Sequence, residues 1–479
     1  MGVFFRPDCG VCGDFIPTYH QEKGTFELYY LLDYRDIPKH GEGTPWRRVS
    51  TKDFVHFTED GEMVSRGTPE EQDLFVFTGC VVNFDGEHHL YYTGHNHYLP
   101  ERGGCGEAIM HAVSEDGDHW VKVPEDTFYA PDGEGIEKND WRDPFVFWNE
   151  EENCYWMLLC TRKQTGPSRR RGATGYLTST DLRHWEYQGS LWNPSLCWCP
   201  ECPDIFRWGK YWYLIYSTFC ESEGMRTYYR IAESPRGPWK NPGNNSLEGR
   251  AFYAGKTAAD GKNRYIFGWN PTREGDRDSG IWQWGGNLVV HKLMQNPDGT
   301  LRVGMPETIP SCYPETQAFS LSKELGEAEL SADGCLLRAP DGFSMVRLSG
   351  APRNCMLSFD IRMEPGTDGA GVMLRAEEDL NSGYYLRLEP NRGKLTFDPE
   401  KRACDHADIE RYVRLEPGAT HHVTIILDDT VFLAYLDDSV ALSARMYDIE
   451  GKEMAFFAFD GGAQITNVEL RPYCEAKQN

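Results

Sequence analysis

The fold follows from residues 201–216, which read ECPDIFRWGKYWYLIY. The stretch opens on a carboxylic acid, Glu201, which stands beside a cysteine and between two prolines and is followed by an apolar strand. An aromatic run then begins at Tyr211. Solubility and packing alone explain an acid in this setting poorly. We therefore interpret Glu201 as an acid that is placed at the start of a strand for a function.

The aromatic run at Tyr211 is one of five similar runs. They share aromatic and β-branched residues and recur roughly 50 to 65 residues apart, which is the length of one four-stranded propeller blade. The runs lie at residues 26–30, 89–93, 155–159, 211–216 and 264–269. We therefore predict an all-β fold in which residues 1–305 form a five-bladed β-propeller.

A turn that starts with serine repeats in phase with the first four of these runs. In each copy the turn leads to an aromatic residue, which we expect to pack between blades. The copies are residues 50–57, 114–120, 179–185 and 234–239. Four copies in phase favour a true repeat over a chance echo of an aromatic-rich composition.

The pattern stops near Pro306, and a second domain is predicted beyond it. Residues 306–320 contain three prolines and are interpreted as a linker. Residues 321–479 contain lighter, alternating strands with regular turns, which predict a β-sandwich of two antiparallel sheets. The sequence leaves open whether this sandwich binds a glycan, forms a homo-oligomer or covers one face of the propeller.

Charge and cysteine content limit the partners and the compartment. The 479 residues include 49 basic and 74 acidic ones, and the net charge of -25 disfavours nucleic acid and membrane surfaces as partners. The N-terminus lacks the apolar core of a signal peptide, and no apolar stretch is long enough to span a membrane. An odd number of scattered cysteines, 15, indicates reduced thiols and a cytoplasmic protein.

Three carboxylates occupy equivalent places in the repeats. Asp14, Asp143 and Glu201 open the first, third and fourth repeats, each beside a Gly, Pro or Cys. The innermost strand of each blade comes first, and its start lines one end of the central channel. Acids at this position therefore converge in space although they are far apart in sequence. We expect a polar centre with a function at that end of the channel.

The motifs around two of these acids resemble those of a known family. Arg142-Asp143-Pro144 and Glu201-Cys202-Pro203-Asp204 look like the two signature motifs of glycoside hydrolase family 32, the invertase, levanase and inulinase group. Phe77-Thr78-Gly79 is similar to the family's Phe-Ser-Gly element, and Trp284-Gly285-Gly286 resembles part of its last blade. The resemblance covers the whole chain, including the C-terminal sandwich. It implies a retaining glycosidase that acts on a β-fructofuranoside or a related small furanoside.

The resemblance also implies roles for individual residues. Asp14 would be the nucleophile, Glu201 the acid/base, and Asp143 a group that holds sugar hydroxyls and stabilises the oxocarbenium-like transition state. The substrate-binding residues would be Arg142, Phe77, Thr78, Cys202 and Trp284. The chemistry asks for these types independently of the family, because a short Asp stays ionised. A Glu crowded by apolar Trp198 and the flanking prolines could keep its proton. We expect a small carbohydrate as substrate and neither a cofactor nor a metal.

The sequence departs from the family around the nucleophile. The family motif reads Trp-Met-Asn-Asp-Pro-Asn-Gly, whereas residues 11–17 read VCGDFIP, so only the Asp is retained. The Gln that follows the first Tyr-rich strand in the family appears here as Leu31. These departures concern the identity of the substrate more than the class of reaction. Asp8 is a rival nucleophile, but Asp14 fits the distance to the strand at Phe26 better.

Two other functions remain open. One is an inverting, arabinofuranosidase-like glycosidase on the same propeller. Roughly 5 Å between Asp14 and Glu201 favours retention, whereas about 6.5 to 9.5 Å favours inversion. The other is a noncatalytic carbohydrate-binding protein, which would hydrolyse no furanoside.

Three further features admit two interpretations each. Cysteines near the proposed centre are compatible with zinc, although we favour small buried thiols; they are Cys9, Cys12, Cys197, Cys199 and Cys202. The basic run at residues 162–171 either reaches over the pocket to bind a phosphorylated or acidic sugar or forms a solvated loop, which we favour. His95 and His97 either line the pocket or, as we favour, are structural.

Overall fold

The computed structural model describes residues 2–84, 86–220, 224–399, 407–416 and 418–475. Their regular secondary structure is almost entirely β-strand, and they contain one short α-helix, α1 (Ile37–His40). Single 3₁₀ turns lie at Pro100–Arg102, Pro124–Asp126, Ser168–Arg170, Glu274–Asp276, Ile309–Cys312 and Pro390–Arg392. Within the described ranges, none of the helices has the length and apolar character that a membrane span requires.

Five antiparallel blades form the N-terminal part of the chain, which confirms the predicted propeller. Blade one contains β1 (Val11–His20), β2 (Thr25–Asp33), β3 (Trp46–Thr51) and β4 (Phe57–Val64). Blade two contains β5 (Phe75–Phe84), β6 (Glu87–His95), β7 (Glu107–Ser114) and β8 (Val121–Lys122). Blade three contains β9 (Ile136–Asn149), β10 (Cys154–Lys163), β11 (Gly172–Ser179) and β12 (Glu186–Trp192).

The last two blades are less regular. Blade four contains β13 (Glu201–Trp208), β14 (Tyr211–Cys220) and β15 (Gly224–Ala232), and isolated bridges from Tyr228 to Ser246 and from Ile231 to Lys240 extend it outward. Blade five contains β16 (Tyr253–Ala259), β17 (Arg264–Arg273), β18 (Trp282–Gln295) and β19 (Leu301–Gly304). Cys12 of β1 pairs with Gly286 of β18, which joins blade five to blade one and closes the ring.

The turn that repeats in the sequence has one structure in the first three blades. In each copy a hydroxyl accepts from a backbone N–H three residues later, and an Asp carboxylate accepts from the backbone of a His and contacts its ring at 2.7 Å. The copies start at Thr51, Ser114 and Ser179. The aromatic residue that follows packs against the preceding blade, as predicted. Trp120 meets Tyr29 edge-on at 6.2 Å, and Trp185 meets Tyr91 at 5.7 Å.

The inner strands share an irregularity at one level of the channel. The pairing register shifts at Gly13/Ile16, Phe77/Gly79, Glu201/Asp204 and Tyr253/Lys256. In blade three the shift lies between Leu158 and Cys160 of β10, opposite Asp143 of the inner strand β9. At four of these β-bulges a residue other than glycine has positive φ: Asp14 (47°), Asp143 (60°), Cys202 (50°) and Ala254 (51°). Such backbone conformations cost about 1–3 kcal/mol each and cluster at functional sites.

The C-terminal strands form a β-sandwich, as predicted. They are β20 (Ser320–Leu325), β21 (Glu327–Leu330), β22 (Cys335–Ser349), β23 (Cys355–Met363), β24 (Gly369–Ala376), β25 (Tyr384–Glu389), β26 (Lys394–Pro399), β27 (Ile409–Tyr412), β28 (Thr420–Asp428), β29 (Val431–Leu436), β30 (Val440–Arg445) and β31 (Glu453–Pro472). One part of β31 pairs with β24 and the rest with β23, while β22 pairs along both parts. The two long strands therefore belong to both sheets. Buried side chains such as Leu357, Phe359 and Phe432 fill the space between them.

The sandwich shares a core with the propeller. Ile426, Leu433 and Tyr435 of the sandwich pack with Phe4 and Val289 of the propeller side in one buried cluster. Ile309 and Cys312, from the 3₁₀ turn between β19 and β20, belong to the same cluster. The segment between the two domains is therefore packed at their junction rather than extended in solvent.

Candidate active site

A cavity of about 490 Å³ lies at the end of the channel where the inner strands begin. Asp14, Asp143 and Glu201 line it, and each comes from a different blade. The predicted substrate-binding residues line the same cavity: Arg142, Phe77, Thr78, Cys202 and Trp284. The fold thus brings together residues that are up to 270 positions apart in the chain, from Asp14 to Trp284. The roles assigned to these residues remain predictions. The rival nucleophile Asp8 is exposed and does not line the cavity.

Two hydrogen bonds fix the orientation of the Asp14 carboxylate. Thr78 Oγ1 donates to Oδ2 over 2.7 Å, and Trp269 Nε1 donates to Oδ1 over 2.9 Å. Burial raises the pKa of Asp14, and the bonds from Thr78 and Trp269 oppose this rise. Each oxygen has one protein donor and a second lone pair, so the carboxylate is held in place while it can still reach an atom in the cavity.

Asp143 is 4% exposed, and both backbone groups and charged side chains surround it. Its Oδ2 accepts from the N–H of Cys202 over 2.9 Å, and its own N–H donates to Thr93 Oγ1 over 2.8 Å. Burial raises the pKa of Asp143 to about 7, Arg142 opposes the rise, and the nearby charges of Glu201 and Asp14 add to it. The charges of Glu201 and Asp14 therefore act on Asp143 in addition to its burial.

Glu201 is held by one charged and one neutral donor. Its Oε1 accepts from Arg142 Nη2 over 3.0 Å, and its Oε2 accepts from the Tyr253 hydroxyl. The expectation that Trp198 crowds Glu201 with apolar surface is wrong. Trp198 is 41% exposed and stacks instead on the Arg162 guanidinium at 3.3 Å. The immediate surroundings of Glu201 are thus an ion pair and a phenol.

Arg142 connects four carboxylates around the cavity. Besides Glu201, its guanidinium contacts Asp140 at 2.8 Å and Glu107 at 3.3 Å, and its Nε lies 4.0 Å from Asp143. The side chain is 12% exposed, so these charges interact with little solvent screening. The ion pair foreseen from the sequence is therefore part of a network, and the same residue lines the cavity.

The cavity wall beside Asp14 is aromatic. A Cβ atom on Gly13 would come within 2.6 Å of the Trp284 ring, so the absence of a side chain there allows Trp284 to lie against the strand that carries Asp14. Trp284 also packs on Trp269, with ring centroids 5.7 Å apart. On the other side, Phe77 stacks on His95 at 4.5 Å. His95 and His97 themselves do not line the cavity, in agreement with the structural interpretation of both.

Sequence reasoning did not single out several residues of the site. Tyr253 and Trp269 contact the acids directly, and Trp282, Gln283, Met225, Phe75, Asp33 and Thr44 complete the wall together with Leu31. Tyr253 precedes the bulge of the fifth inner strand, so its place in the repeat matches that of Glu201 in the fourth. That phase relation was available in the sequence and would have identified it.

The zinc interpretation, which the sequence disfavoured, gains no support. Among the described residues, no group of three His, Cys, Asp or Glu side chains is arranged to hold a metal ion. Two of the five cysteines have different partners, since Cys12 Sγ lies 3.3 Å from the Gly286 carbonyl and Cys199 Sγ lies 2.7 Å from Cys160 Sγ, and Cys9 is exposed. Cys202 lines the cavity beside Thr78.

The basic run at residues 162–171 does not reach over the cavity, since none of its residues lines the wall. Arg162 and Arg171 both pair with Glu137, and Arg170 donates to the Leu196 carbonyl. With the stacking of Arg162 on Trp198, these contacts brace the loop that leads into Glu201. The run is therefore not a lid; its residues 164–170 are exposed, as expected of the solvated loop that the sequence favoured, while Arg162 and Arg171 bind Glu137 at its two ends.

The chain is similar to known sugar hydrolases. Residues 16–300 match the Glycosyl hydrolases family 32 N-terminal domain, a range that contains Asp143 and Glu201 and starts just after Asp14. The chain is 26% identical to a sucrose-6-phosphate hydrolase of Escherichia coli over 468 residues, covering 92% of this chain and 88% of that protein. It is 26% identical to a levanbiose-producing levanase of Bacillus subtilis (strain 168) over 265 residues, which are 51% of this chain and only 44% of the levanase.

The fold is shared with solved structures over the whole chain. The structure of sucrose-6-phosphate hydrolase from Lactobacillus gasseri superposes with a TM-score of 0.74 at 17% identity and covers 100% of this chain and 93% of that one. At this level of identity the likeness establishes the common architecture of propeller and sandwich.

Proposed function

Because the chain belongs to glycoside hydrolase family 32, we propose that it is a retaining β-fructofuranosidase that releases a terminal furanose from a small carbohydrate. The observation that carries this proposal is the meeting of Asp14, Asp143 and Glu201 in one cavity, with Asp14 and Glu201 each held by two donors. Glycoside hydrolysis uses two oriented carboxyl groups, and a third can stabilise the positive charge of the oxocarbenium-like transition state.

In the first step, Asp14 Oδ attacks the anomeric carbon and Glu201 gives its proton to the glycosidic oxygen. The bond between the anomeric carbon and that oxygen breaks, the leaving alcohol departs with the proton, and a covalent ester with Asp14 forms. The bonds from Thr78 and Trp269 hold Asp14 in line for this attack. Arg142 then stabilises the carboxylate that Glu201 has become.

In the second step, Glu201 takes a proton from water, the resulting oxygen nucleophile attacks the anomeric carbon, and Asp14 leaves. Two displacements return the original configuration at that carbon. Asp143 acts in both steps, because its carboxylate lies beside the sugar ring where positive charge grows. Its bond from the Cys202 N–H keeps it in that position.

The cavity favours a substrate without a phosphate group. Arg142 is the only Lys or Arg among the described residues that line it, and its guanidinium is bound to Glu201, Asp140 and Glu107. A phosphate would therefore meet Asp14, Asp143 and Glu201 with no cation free to pair with it. We propose neutral oligosaccharides with a terminal β-fructofuranosyl unit as substrates, held against the aromatic faces of Trp284 and Phe77.

Product analysis by NMR on the wild-type protein tests both the activity and the stereochemistry. We expect release of fructose from sucrose, raffinose or short fructans, with β-fructofuranose as the first anomer to appear. A first product of inverted configuration would favour the inverting alternative, and a lack of turnover on a panel of fructosides and arabinofuranosides would favour a carbohydrate-binding protein. Sucrose 6-phosphate belongs in the same panel, and we expect its kcat/KM to be lower than that of sucrose.

Two variants connect the activity to the site. Glu201→Gln and Asp14→Asn should each lower kcat by about 10³-fold or more, because the first removes the proton donor and acceptor, the second removes the nucleophile, and the two displacements need both groups. Glu151→Gln, in the exposed turn between β9 and β10, is the matched control and should keep full activity. Full activity in Glu201→Gln would contradict the proposal.

We further propose a cytoplasmic location. Of the 15 cysteines in the sequence, 13 are free thiols in the part of the chain whose side chains the structure describes, which fits a reducing compartment. Comparing the thiol content of protein isolated from its host with that of reduced protein would test this location.

A further inference from the structure

A second cavity, of about 400 Å³, lies between the propeller and the sandwich, apart from the active site. Arg226 and Tyr228 of β15 and the loop at residues 243–246 form its propeller side. Arg411 and Tyr412, at the end of β27, form its sandwich side. None of these residues lines the cavity that contains Asp14.

Three arginines line this cavity: Arg414 is exposed and pairs with Glu416, whereas Arg226 and Arg411 are buried without a carboxylate partner. Arg226 and Arg411 are each 4% exposed, and neither forms an ion pair within the described ranges. Arg226 donates one hydrogen bond, from Nη2 to the Glu410 carbonyl over 3.0 Å, and the Nε atoms of both arginines are buried without an acceptor. Arg411 donates three hydrogen bonds, from Nη1 to Asn244 Oδ1 and the Tyr412 carbonyl and from Nη2 to the Ser246 carbonyl. A guanidinium has five N–H donors, so, counted over the described residues, four donors of Arg226 and two of Arg411 are unused.

Another buried arginine shows how this protein satisfies a purely structural guanidinium. Arg445 is 2% exposed and also lacks a carboxylate. However, its Nε donates to the Pro271 carbonyl over 3.0 Å, its Nη1 to Thr430, and its Nη2 to the carbonyl of Asn270. All three nitrogens of Arg445 are therefore bonded, which is not so for Arg226.

The charge around Arg226 and Arg411 is not compensated. Burial lowers the pKa of Arg411 to about 10, and the charge of Arg226 adds to this effect. The charge of Glu248 opposes this effect, but its two oxygens already accept from the N–H and hydroxyl of Ser443. Burial raises the pKa of Glu248 to about 7, so at neutral pH this acid carries only part of a negative charge. Two buried like charges with so little compensation are costly without a further anion.

We propose that the cavity between the domains binds a small oxyanion of the phosphate class, free or carried on a small sugar, through Arg226 and Arg411. Guanidinium groups suit this chemistry, because their planar donors bond pairs of phosphate oxygens. Asn244, whose amide donates to the Tyr412 carbonyl over 3.2 Å, and the phenol rings of Tyr228 and Tyr412 leave polar surface for an attached sugar. Since the whole chain carries a net charge of -25, the local arginines and not the overall field would attract the anion.

Binding is tested on the full chain in a buffer free of phosphate. Sodium phosphate and, separately, fructose 6-phosphate are titrated at constant ionic strength, with sodium chloride as reference, by calorimetry and thermal unfolding. We expect a saturable rise in Tm of about 2–3 °C at a hundredfold excess over Kd. A rise in Tm with inorganic phosphate means that the free anion is enough for binding. A rise with fructose 6-phosphate alone means that the site needs a phosphate attached to a sugar. No response to either one overturns the proposal.

Variants of Arg226 test whether the anion binds in this cavity. Arg226→Met should weaken it at least tenfold and leave fructoside hydrolysis unchanged, and in buffer without phosphate its Tm should not fall, because an uncompensated charge is gone. Arg338→Met removes an exposed arginine of the sandwich and should bind as the wild type does. Arg226→Lys keeps the charge and the fold and should bind with intermediate affinity. Undiminished binding in both Arg226 variants, or competition by saturating fructose, would place the anion elsewhere and overturn the proposal.

Discussion

Arg142 Nη2 lies 3.0 Å from Glu201 Oε1, so a residue of blade three fixes the carboxylate that opens blade four. Arg142 immediately precedes Asp143, and the same short segment therefore supplies one acid of the site and orients another. The relative position of the two acids depends on the packing of two blades against each other.

The first prediction concerns this connection. Arg142→Lys keeps a cation among Glu107, Asp140 and Glu201 but loses the planar fork, so we expect kcat/KM to fall about 10- to 100-fold with the fold retained. Arg142→Met should be far less stable, by about 3–5 kcal/mol, because it leaves buried carboxylates unpaired. Steady-state kinetics and urea unfolding measure the two effects. Equal kinetics in Arg142→Lys and wild type would show that the contact with Glu201 has no part in catalysis.

The second prediction concerns the nucleophile. Thr78→Val removes the donor to Asp14 Oδ2 with little change of shape. Because that bond lowers the pKa of Asp14, its loss should raise the pKa and move the acid limb of the kcat/KM profile to higher pH. Thr18→Val serves as the control. Thr18 lies on β1, the strand of Asp14, but beyond the bulge, and its hydroxyl donates to the Glu27 carbonyl. An unshifted limb in Thr78→Val would argue against Asp14 as the titrating nucleophile.

The third prediction concerns pH and Asp143. Its pKa of about 7 lies above the usual range of an Asp, so the carboxylate forms fully only above neutrality. We expect kcat/KM to keep rising towards pH 7 in the free enzyme. Asp143→Asn should remove this part of the limb and lower the rate about 10²- to 10³-fold, since the group that stabilises positive charge is gone. A profile that is already flat at pH 5 would contradict the assignment.

The fourth prediction concerns stability at the junction of the domains. Glu248 has a folded-state pKa raised from 4.5 to about 7, so the folded protein binds this proton more tightly than the unfolded chain. Its contribution is therefore greatest below about pH 4 and declines as pH rises through 7, by about 3 kcal/mol in total. Glu248→Gln should remove this decline while keeping the bonds to Ser443. Urea unfolding of both proteins at pH 4.5, 6 and 8 measures the difference, and parallel pH curves would contradict the shift.

The sequence predicted the fold correctly where a residue pattern recurs once in each blade. The aromatic runs and the Ser-led turns mark the blades because each copy meets the same packing demand, and their phase identified the level at which Asp14, Asp143 and Glu201 converge. The surroundings of Glu201 were not predicted correctly. Trp198 is its near neighbour in sequence but stacks on Arg162, whereas Tyr253 arrives from the next blade.

Contacts between distant segments account for the other omissions. Nothing local in the sequence shows that Arg226 of the propeller and Arg411 of the sandwich line one cavity, because two unrelated sheets bring them together. The basic run at residues 162–171 was likewise judged by composition, while its arginines are bound by Glu137 and the loop before Glu201. A homo-oligomer formed through the sandwich remains a prediction.

Gly13 and Trp284 constrain how this chain can change. A Cβ atom at position 13 would lie 2.6 Å from the Trp284 ring, so a side chain cannot be introduced there unless Trp284 moves. Gly13→Asn alone creates a clash, and Trp284→Ala alone leaves an empty space in the cavity wall. A library that varies one of these positions at a time will therefore miss their coupling, which becomes visible only when both positions are varied together.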